Sequence, residues 1–444
     1  MNDPGLDPGP DLLGEVPGRV RDELGVQAAR LLHGGGTPAR VLLCETGSGR
    51  RVVVKVLRAG AGAVDGHDLG SFLRKPQQIA AIHRDLPGLS PHYVPLAGAW
   101  QGPGWGAYAM PWVDGQPPVT LLGGGGAASG EFGRTVRLAF EALGEHGYAA
   151  SRSPAPAGHG QAAYPGRVRR RLPLLARHLD AALTCAGTVR VNGRVIAPAG
   201  ELLARAGRPG ARLALQPAAL WYPVHGDLNL GNLLVRPGRP GQEPGFTVID
   251  PRGITSHFDP VYDVAKALFS LTLFDAAMAG GFAIGGGPAR EYTVRLREPD
   301  PPLASAAAEL PGLVASTGFF RALDRSDPLW RRRLLYAHAF HVLAESACRL
   351  SDRTHRVLPG VAAGRAARRE LATGLYLSGL LLLDSLLCGP PDPENHLDAH
   401  LACIAEVTQP AGQAATRGHP GSRTAARLRC PPHSGPRSLT GAGA

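Results

Sequence analysis

His225-Gly226-Asp227-Leu228-Asn229-Leu230-Gly231-Asn232 is followed, one turn-rich segment later, by Val248-Ile249-Asp250-Pro251-Arg252-Gly253. An Asp, an Asn five residues on and a second Asp after an apolar run are the parts that phosphoryl transfer from a metal-bound nucleotide requires. One carboxylate orients a hydroxyl and takes its proton, while an amide oxygen and a second carboxylate hold magnesium. Three fixed positions in a turn can also be no more than turn chemistry, because Asp and Asn tolerate such geometry. The flanks decide between the two. Leu233-Leu234-Val235 and Phe246-Thr247-Val248-Ile249 read as short strands, and the Gly- and Pro-rich stretch 237–245 turns the chain between them. Such a hairpin brings Asn232, at its entrance, and Asp250, at its exit, to one end.

Upstream, residues 31–57 read as strand, Gly-rich turn, strand, tight turn, strand, an antiparallel meander. Gly34-Gly35-Gly36 forms the first turn, and glycines there would let backbone amides approach phosphates. Lys55 sits in the third strand, within Arg51-Val52-Val53-Val54-Lys55-Val56-Leu57. A buried ammonium needs anionic partners. Of 47 basic residues only Lys55, Lys75 and Lys266 are lysines. In a chain that so prefers Arg, Lys55 marks a place where a compact ammonium must fit.

Residues 20–32 read as a helix or a helix followed by a strand. Residues 72–86 read as a helix, with Pro76 near its start or opening a second helix. A strand pair follows, near 97–100 and 106–110. Met110-Pro111-Trp112-Val113-Asp114-Gly115 then reads as a crossing between lobes, where the backbone at Met110 and Trp112 would meet a nucleobase. Beyond it the pattern is mainly helical, at 131–147, 168–185, 261–278, 330–351 and 362–388, with a small hairpin around Val191-Asn192-Gly193-Arg194. Asp259 and Pro260 read as the start of a helix. Asp263 either complements that helix's dipole or braces the Asp227 loop, and His225 braces the same loop. His338 and His341 read as packed or surface histidines, with Glu345 at most a local hydrogen-bond partner.

Composition sets limits. The 444 residues, 44% hydrophobic, allow two lobes and a large core. The most apolar run, 371–387, is interrupted by Asp384 and reads as a buried helix, so no membrane partner is expected. The N-terminus carries no secretory signal pattern, and six scattered Cys with no C-x-x-C pair read as cytosolic thiols. The net charge of +11 is concentrated: residues 151–224 hold eleven Arg against Asp180 and Glu201, and the tail beyond Glu406 holds five more Arg and no acid. That distribution gives no warrant for reading the whole chain as a nucleic-acid binder. The expected division is a flexible leader (1–20), an N-lobe with a nucleotide-binding sheet (21–113), a helical C-lobe (114–407) and a disordered Arg-, Gly- and Pro-rich tail (408–444).

In order, the Gly turn, Lys55, the 110–115 crossing, His225-x-Asp227-x4-Asn232, Asp250-x-x-Gly253 and Asp263 resemble the protein-kinase-like fold. The nearer likeness is its aminoglycoside phosphotransferase and choline kinase branch, which has His-Gly-Asp where protein kinases have His-Arg-Asp. The resemblance implies an α+β, bilobal architecture with a small antiparallel-sheet N-lobe and a larger, mainly helical C-lobe. It implies ATP and Mg2+ as cofactors and a small-molecule hydroxyl as acceptor. Asp227 would be the catalytic base, Asn232 and Asp250 the magnesium ligands, and Lys55 and the Gly turn the phosphate contacts. Asp263 would brace the loop.

Three departures stand out. The family pairs its strand Lys with a helix Glu, yet no Glu lies between Lys55 and Trp100. Gln77, Gln78, Asp65 or Asp68 must substitute, or the pairing is absent. The metal motif reads Asp-Pro-Arg-Gly, and the stretch from Asp227 to Asp250 is lengthened. The Arg-rich segment, densest at Arg167, Arg169, Arg170 and Arg171, favours a neutral or anionic acceptor over a cationic aminoglycoside; the alternative is that these are solvated helix faces. A catalytically silent, nucleotide-binding scaffold is the competing function. A protein kinase ranks last, since no activation segment fits between Gly253 and Asp263.

Overall fold

The computed structural model describes residues 11–32, 38–60, 67–124, 126–184, 187–236, 245–287, 290–351, 365–388 and 396–408. Gly34, Gly35, Gly36, Asp65, the turn 237–244 and the tail from 409 lie outside them.

The N-terminal region is an antiparallel sheet in the order β1-β2-β3-β5-β4, built from β1 (Val26–Leu31), β2 (Arg40–Thr46), β3 (Arg51–Arg58), β4 (Gly98–Gly102) and β5 (Trp105–Pro111). The two-residue period of β3 sends Val52, Val54 and Val56 to one face and Val53, Lys55 and Leu57 to the other. The first face packs on Val16 and Val20. Residues 11–20, expected within a flexible leader, thus carry the turn Leu13–Glu15 and the start of helix α1 (Gly18–Leu24), and they cover the sheet. The region 20–32 is helix then strand.

The other face packs on α2 (Leu69–Asp85), through Phe72 and Ile79. The Asp68 carboxylate caps α2 by accepting from the Ser71 N–H at 2.9 Å, so the helix begins earlier than the sequence pattern predicts. Pro76 lies inside α2 and does not begin a new helix. Packing of an apolar face outweighs the loss of one intrahelical bond.

The C-terminal region is mainly helical. Its long elements are Gly126–Ala142, Pro165–His178, Val261–Phe269, Pro301–Ala315, Trp330–Ser351, Arg365–Cys388 and His396–Thr408. Helix Arg365–Cys388 is long and apolar enough to cross a membrane by composition, but 72% of its apolar window is buried inside the protein. The small hairpin is present as Val189–Val191 and Arg194–Ile196, turned by Asn192 and Gly193, both at positive φ. It joins a second hairpin, Phe282–Gly286 and Glu291–Leu296, that the sequence pattern did not reveal.

Strands Leu233–Arg236 and Gly245–Val248 pair antiparallel, with Leu233 opposite Val248. The hairpin is anchored to the rest of the chain by bridges from Tyr93 to Val248 and from Gln116 to Val235.

Candidate active site

A cleft of about 620 Å³ is lined by β3, β5, α2, the crossing segment, the Asp227–Asn232 loop and four C-terminal helices. That volume suits a small-molecule site. Lys55, Met110, Trp112, Asp227, Asn232 and Asp250 all line it.

Asp250 leaves strand Gly245–Val248 in the left-handed region (φ 55°), a strained conformation for a non-glycine residue. Its carboxylate accepts from Lys55 Nζ at 2.8 Å on Oδ2, and from Lys75 Nζ at 2.8 Å and the Tyr108 hydroxyl at 2.7 Å on Oδ1. Lys55 and Tyr108 are cross-strand partners on β3 and β5, so one register delivers both. Burial alone would raise the Asp250 pKa, but the two ammoniums outweigh it and hold the carboxylate ionised, well below its usual range. Burial in turn lowers the Lys55 pKa, which Asp250 partly offsets.

The missing helix acid resolves in an unexpected way. None of the four proposed substitutes meets Lys55 among the described residues. Asp68 caps α2, Gln77 is exposed, and Asp65 lies outside those residues. Gln78 is buried and staples two loops: its Nε2 donates to the Val224 carbonyl at 2.8 Å, and its Oε1 accepts from the N–H groups of Gly253 and Ile254, each at 2.7 Å. The helix residue that reaches Asp250 is a cation, Lys75. It can do so because Gly253 (φ 86°) lets the loop touch α2. A Cβ there would stand 2.9 Å from Arg74 Cβ and 3.0 Å from the Lys75 backbone nitrogen.

Asp227 is held from the other side. Lys266 Nζ, on helix Val261–Phe269, lies 2.9 Å from its Oδ1, and Asn229 Nδ2 donates to the same oxygen at 3.1 Å. Burial raises the Asp227 pKa, but Lys266 and Lys75 outweigh it and leave a carboxylate below its usual range. All three lysines of the chain therefore contact the two site carboxylates. Their rarity was legible in the sequence, yet only Lys55 drew attention there.

The loop itself is cast by two buried groups. Asp263 accepts from the backbone N–H of His225 (2.9 Å) and Gly226 (2.7 Å) and from the Tyr148 hydroxyl (2.9 Å); it braces the loop. Burial pushes its pKa up to about 7. His225 Nδ1 accepts from the Asp227 N–H at 3.1 Å, which leaves Nε2 as the donor to the Ile249 carbonyl at 2.9 Å. Burial lowers its pKa to about 4, so the imidazole is neutral. Asp259 does accept from the Val261 N–H at 3.1 Å, but it is also fully buried against Arg333 at 2.7 Å and serves the core.

The crossing needs one correction. The Trp112 N–H already donates to the Arg51 carbonyl at 3.1 Å, so it is not the backbone donor for a base. Its indole Nε1 is buried and has no partner among the described residues.

Glu345 is far more than a local partner. It accepts from Arg167 NH2 at 2.9 Å, from Lys266 Nζ at 3.3 Å and from Arg349 NH2 at 3.3 Å, with Arg171 NH1 at 4.0 Å. Of the dense arginine cluster, Arg167 and Arg171, one helical turn apart, line the cleft. Arg169 bonds the Leu203 carbonyl, and Arg170 is exposed.

An antiparallel sheet over a helical region, with a lysine-bound carboxylate and a braced His-Gly-Asp loop between them, defines a kinase-like α+β protein. The model of the phosphotransferase enzyme family matches residues 29–298, and the chain belongs to that family. Among solved structures it is similar to an aminoglycoside-3'-phosphotransferase of type VIII, at 17% identity over 73% of this chain and 95% of that one, with a TM-score of 0.39. It is similar to aminoglycoside phosphotransferase APH(3'')-Id from Streptomyces rimosus, solved with ADP and streptomycin, at 16% identity over 68% and 94%, with a TM-score of 0.36. It is also similar to an amicoumacin kinase solved with AMP-PNP and Ca2+, at 10% identity over 78% and 87%, with a TM-score of 0.34. A comparison with curated proteins gives no match.

Proposed function

We propose that the protein is an ATP- and magnesium-dependent phosphotransferase that moves the γ-phosphoryl group to a hydroxyl of a small molecule, neutral or anionic rather than a cationic aminoglycoside. One observation carries the reading: two ionised carboxylates, Asp227 and Asp250, line a single cleft, each held by a lysine.

The residues present fit magnesium, a hard cation that takes oxygen ligands and usually binds through one or two carboxylates plus phosphates. Asn232 donates its Nδ2 to the Asp227 carbonyl at 2.7 Å, and its Oδ1 accepts no bond among the described residues. Asp250 and Asn232 Oδ1 would hold the ion, whose charge would offset that of the phosphates. Lys55 and Lys75, both of which sit on Asp250 here, would then be free to contact the triphosphate. Asp227, oriented by Lys266 and Asn229, positions the acceptor hydroxyl and receives its proton. Trp112 Nε1 is a candidate donor to the nucleobase or ribose. Cys44, Cys348 and Cys403 are free and buried, which suits a reducing cytoplasm.

A second reading rests on Lys75. With two ammoniums and a phenol on Asp250, a protein that binds nucleotide without turning it over is the alternative. Magnesium-dependent ATP consumption, measured with a panel of hydroxyl compounds for the wild type and Asp227→Ala, separates the two. The enzyme shows turnover that the substitution removes while AMP-PNP still binds. If both proteins bind AMP-PNP and neither consumes ATP with any acceptor, the scaffold stands instead.

A further inference from the structure

Beyond Asp227, the positive end of the cleft is built from Lys266, Arg167, Arg171, Arg252 and Arg349. Four carboxylates line the cleft with them: Asp227, Asp250, which Lys55 and Lys75 hold, Asp275 and Glu345. Glu345 is the shared counter-ion of Arg167, Lys266 and Arg349, with Arg171 at 4.0 Å. Arg167, Arg171 and Arg349 are almost wholly buried, at 5%, 2% and 2% exposure. Arg167 and Arg252 also share the Tyr262 hydroxyl. A lysine in such a place could shed its proton, but a guanidinium cannot. An excess of buried positive charge is therefore fixed, and in a low-dielectric cleft it attracts an anion strongly. The planar fork of Arg suits the oxygens of phosphate and carboxylate.

We propose that this end of the cleft is an anion subsite for the acceptor, so that the substrate is a hydroxylated oxyanion, either a phosphomonoester of a small polyol or a hydroxy acid. The subsite rests on the phosphotransferase reading and sharpens it. Its anion binds Arg349, Arg167 and Arg252, joins Glu345 in balancing the cluster, and thereby sets the acceptor hydroxyl toward Asp227. A polycationic acceptor meets like charge there and is rejected.

The test uses full-length protein saturated with AMP-PNP and magnesium, so that the triphosphate site is filled. Inorganic phosphate and tartrate are titrated by calorimetry, and ATP turnover is compared for glycerol, glycerol 3-phosphate, glycerate and kanamycin. Saturable binding of one anion per chain is expected, weakened at least about tenfold in Arg349→Met and in Arg252→Met, and kept in Arg170→Ala, whose side chain does not line the cleft. Circular dichroism checks the fold of each variant; Arg252, half-buried, covers the case in which Arg349→Met fails to fold. Tighter phosphate assigns a phosphomonoester, and tighter tartrate a carboxylate. Absence of anion binding to the nucleotide-loaded protein overturns the subsite, as does binding undiminished in both variants. Faster turnover of kanamycin or glycerol than of their anionic counterparts overturns it too, while leaving the phosphotransferase intact. Failure to bind AMP-PNP removes the phosphotransferase reading itself, and the subsite with it.

Discussion

Lys75 Nζ lies 2.8 Å from Asp250 Oδ1, so the helix that packs on the N-terminal sheet contributes a cation to the carboxylate at the end of strand Gly245–Val248. Lys55 holds the other oxygen. In this arrangement the strand lysine and the helix lysine converge on one acid, and the proposed function assigns both to the triphosphate. Lys75→Met is expected to weaken ATP binding about tenfold in the presence of EDTA, the scale of one lost charge-assisted contact. The check is isothermal titration with and without magnesium. Unchanged metal-free affinity would show that Lys75 serves only Asp250.

Asp227 lines the cleft as a carboxylate held ionised by Lys266 and Lys75, and the proposed function makes it the general base. Asp227→Asn is expected to lower phosphoryl transfer at least about 100-fold, the usual lower bound for such a group, with little change in AMP-PNP affinity. Retained turnover would remove Asp227 from the chemistry.

Glu345 balances a cluster of buried cations, and loss of one partner from a buried charge pair is strongly destabilising. Glu345→Gln is expected to cost about 3 kcal/mol in denaturant unfolding, with phosphate restoring part of it by supplying negative charge. A stability change near zero would mean that the arginines are balanced from elsewhere.

His225 is held neutral by burial, with a pKa of about 4 against 6.5 for a free imidazole. As pH falls from 6.5 to 4, the unfolded chain takes up a proton that the folded one refuses. This histidine therefore removes about 3 kcal/mol of stability across that window. Asp263, raised to about 7, acts in the opposite sense: the folded state binds its proton first as pH falls below 7. The two partly cancel, and a shallow dependence between pH 7 and 4 is expected. Nitrogen-15 spectra of the imidazole should show the Nε2–H tautomer without titration above about pH 5; a midpoint near 6.5 would contradict the bond from the Asp227 N–H.

Gly253 lies where the loop after Asp250 touches α2, at φ 86°. Gly253→Ala is expected to destabilise by about 2 kcal/mol, through both the left-handed backbone and the clash with Arg74. It should also part Lys75 from Asp250, seen as a loss of the metal-free ATP affinity that Lys75 confers.

Much of this protein is written locally. The alternation of β3, the hairpin flanking Asp250 and the turn chemistry of the His225–Asn232 loop each depend on neighbours in sequence, because strand period and turn preference are short-range properties. They sufficed for the α+β division and for the clustering of Lys55, Asp227, Asn232 and Asp250. Asp263 was legible as a brace for the same reason, since its helix begins just after the motif it supports.

What the tertiary structure decided is which charges meet. Nothing in the spacing of Lys75, Lys266, Glu345, Arg167 and Arg349 assigns them to one cleft; they come from four helices, separated by up to 274 residues (Lys75 to Arg349). Packing sets those pairings, and a buried charge accepts whichever opposite charge the fold brings near. The sequence alone determined the His225–Asn232 loop and the strands of the N-terminal sheet. Only the fold determined that every lysine converges on the two acids, and that the ground behind Asp227 is positive.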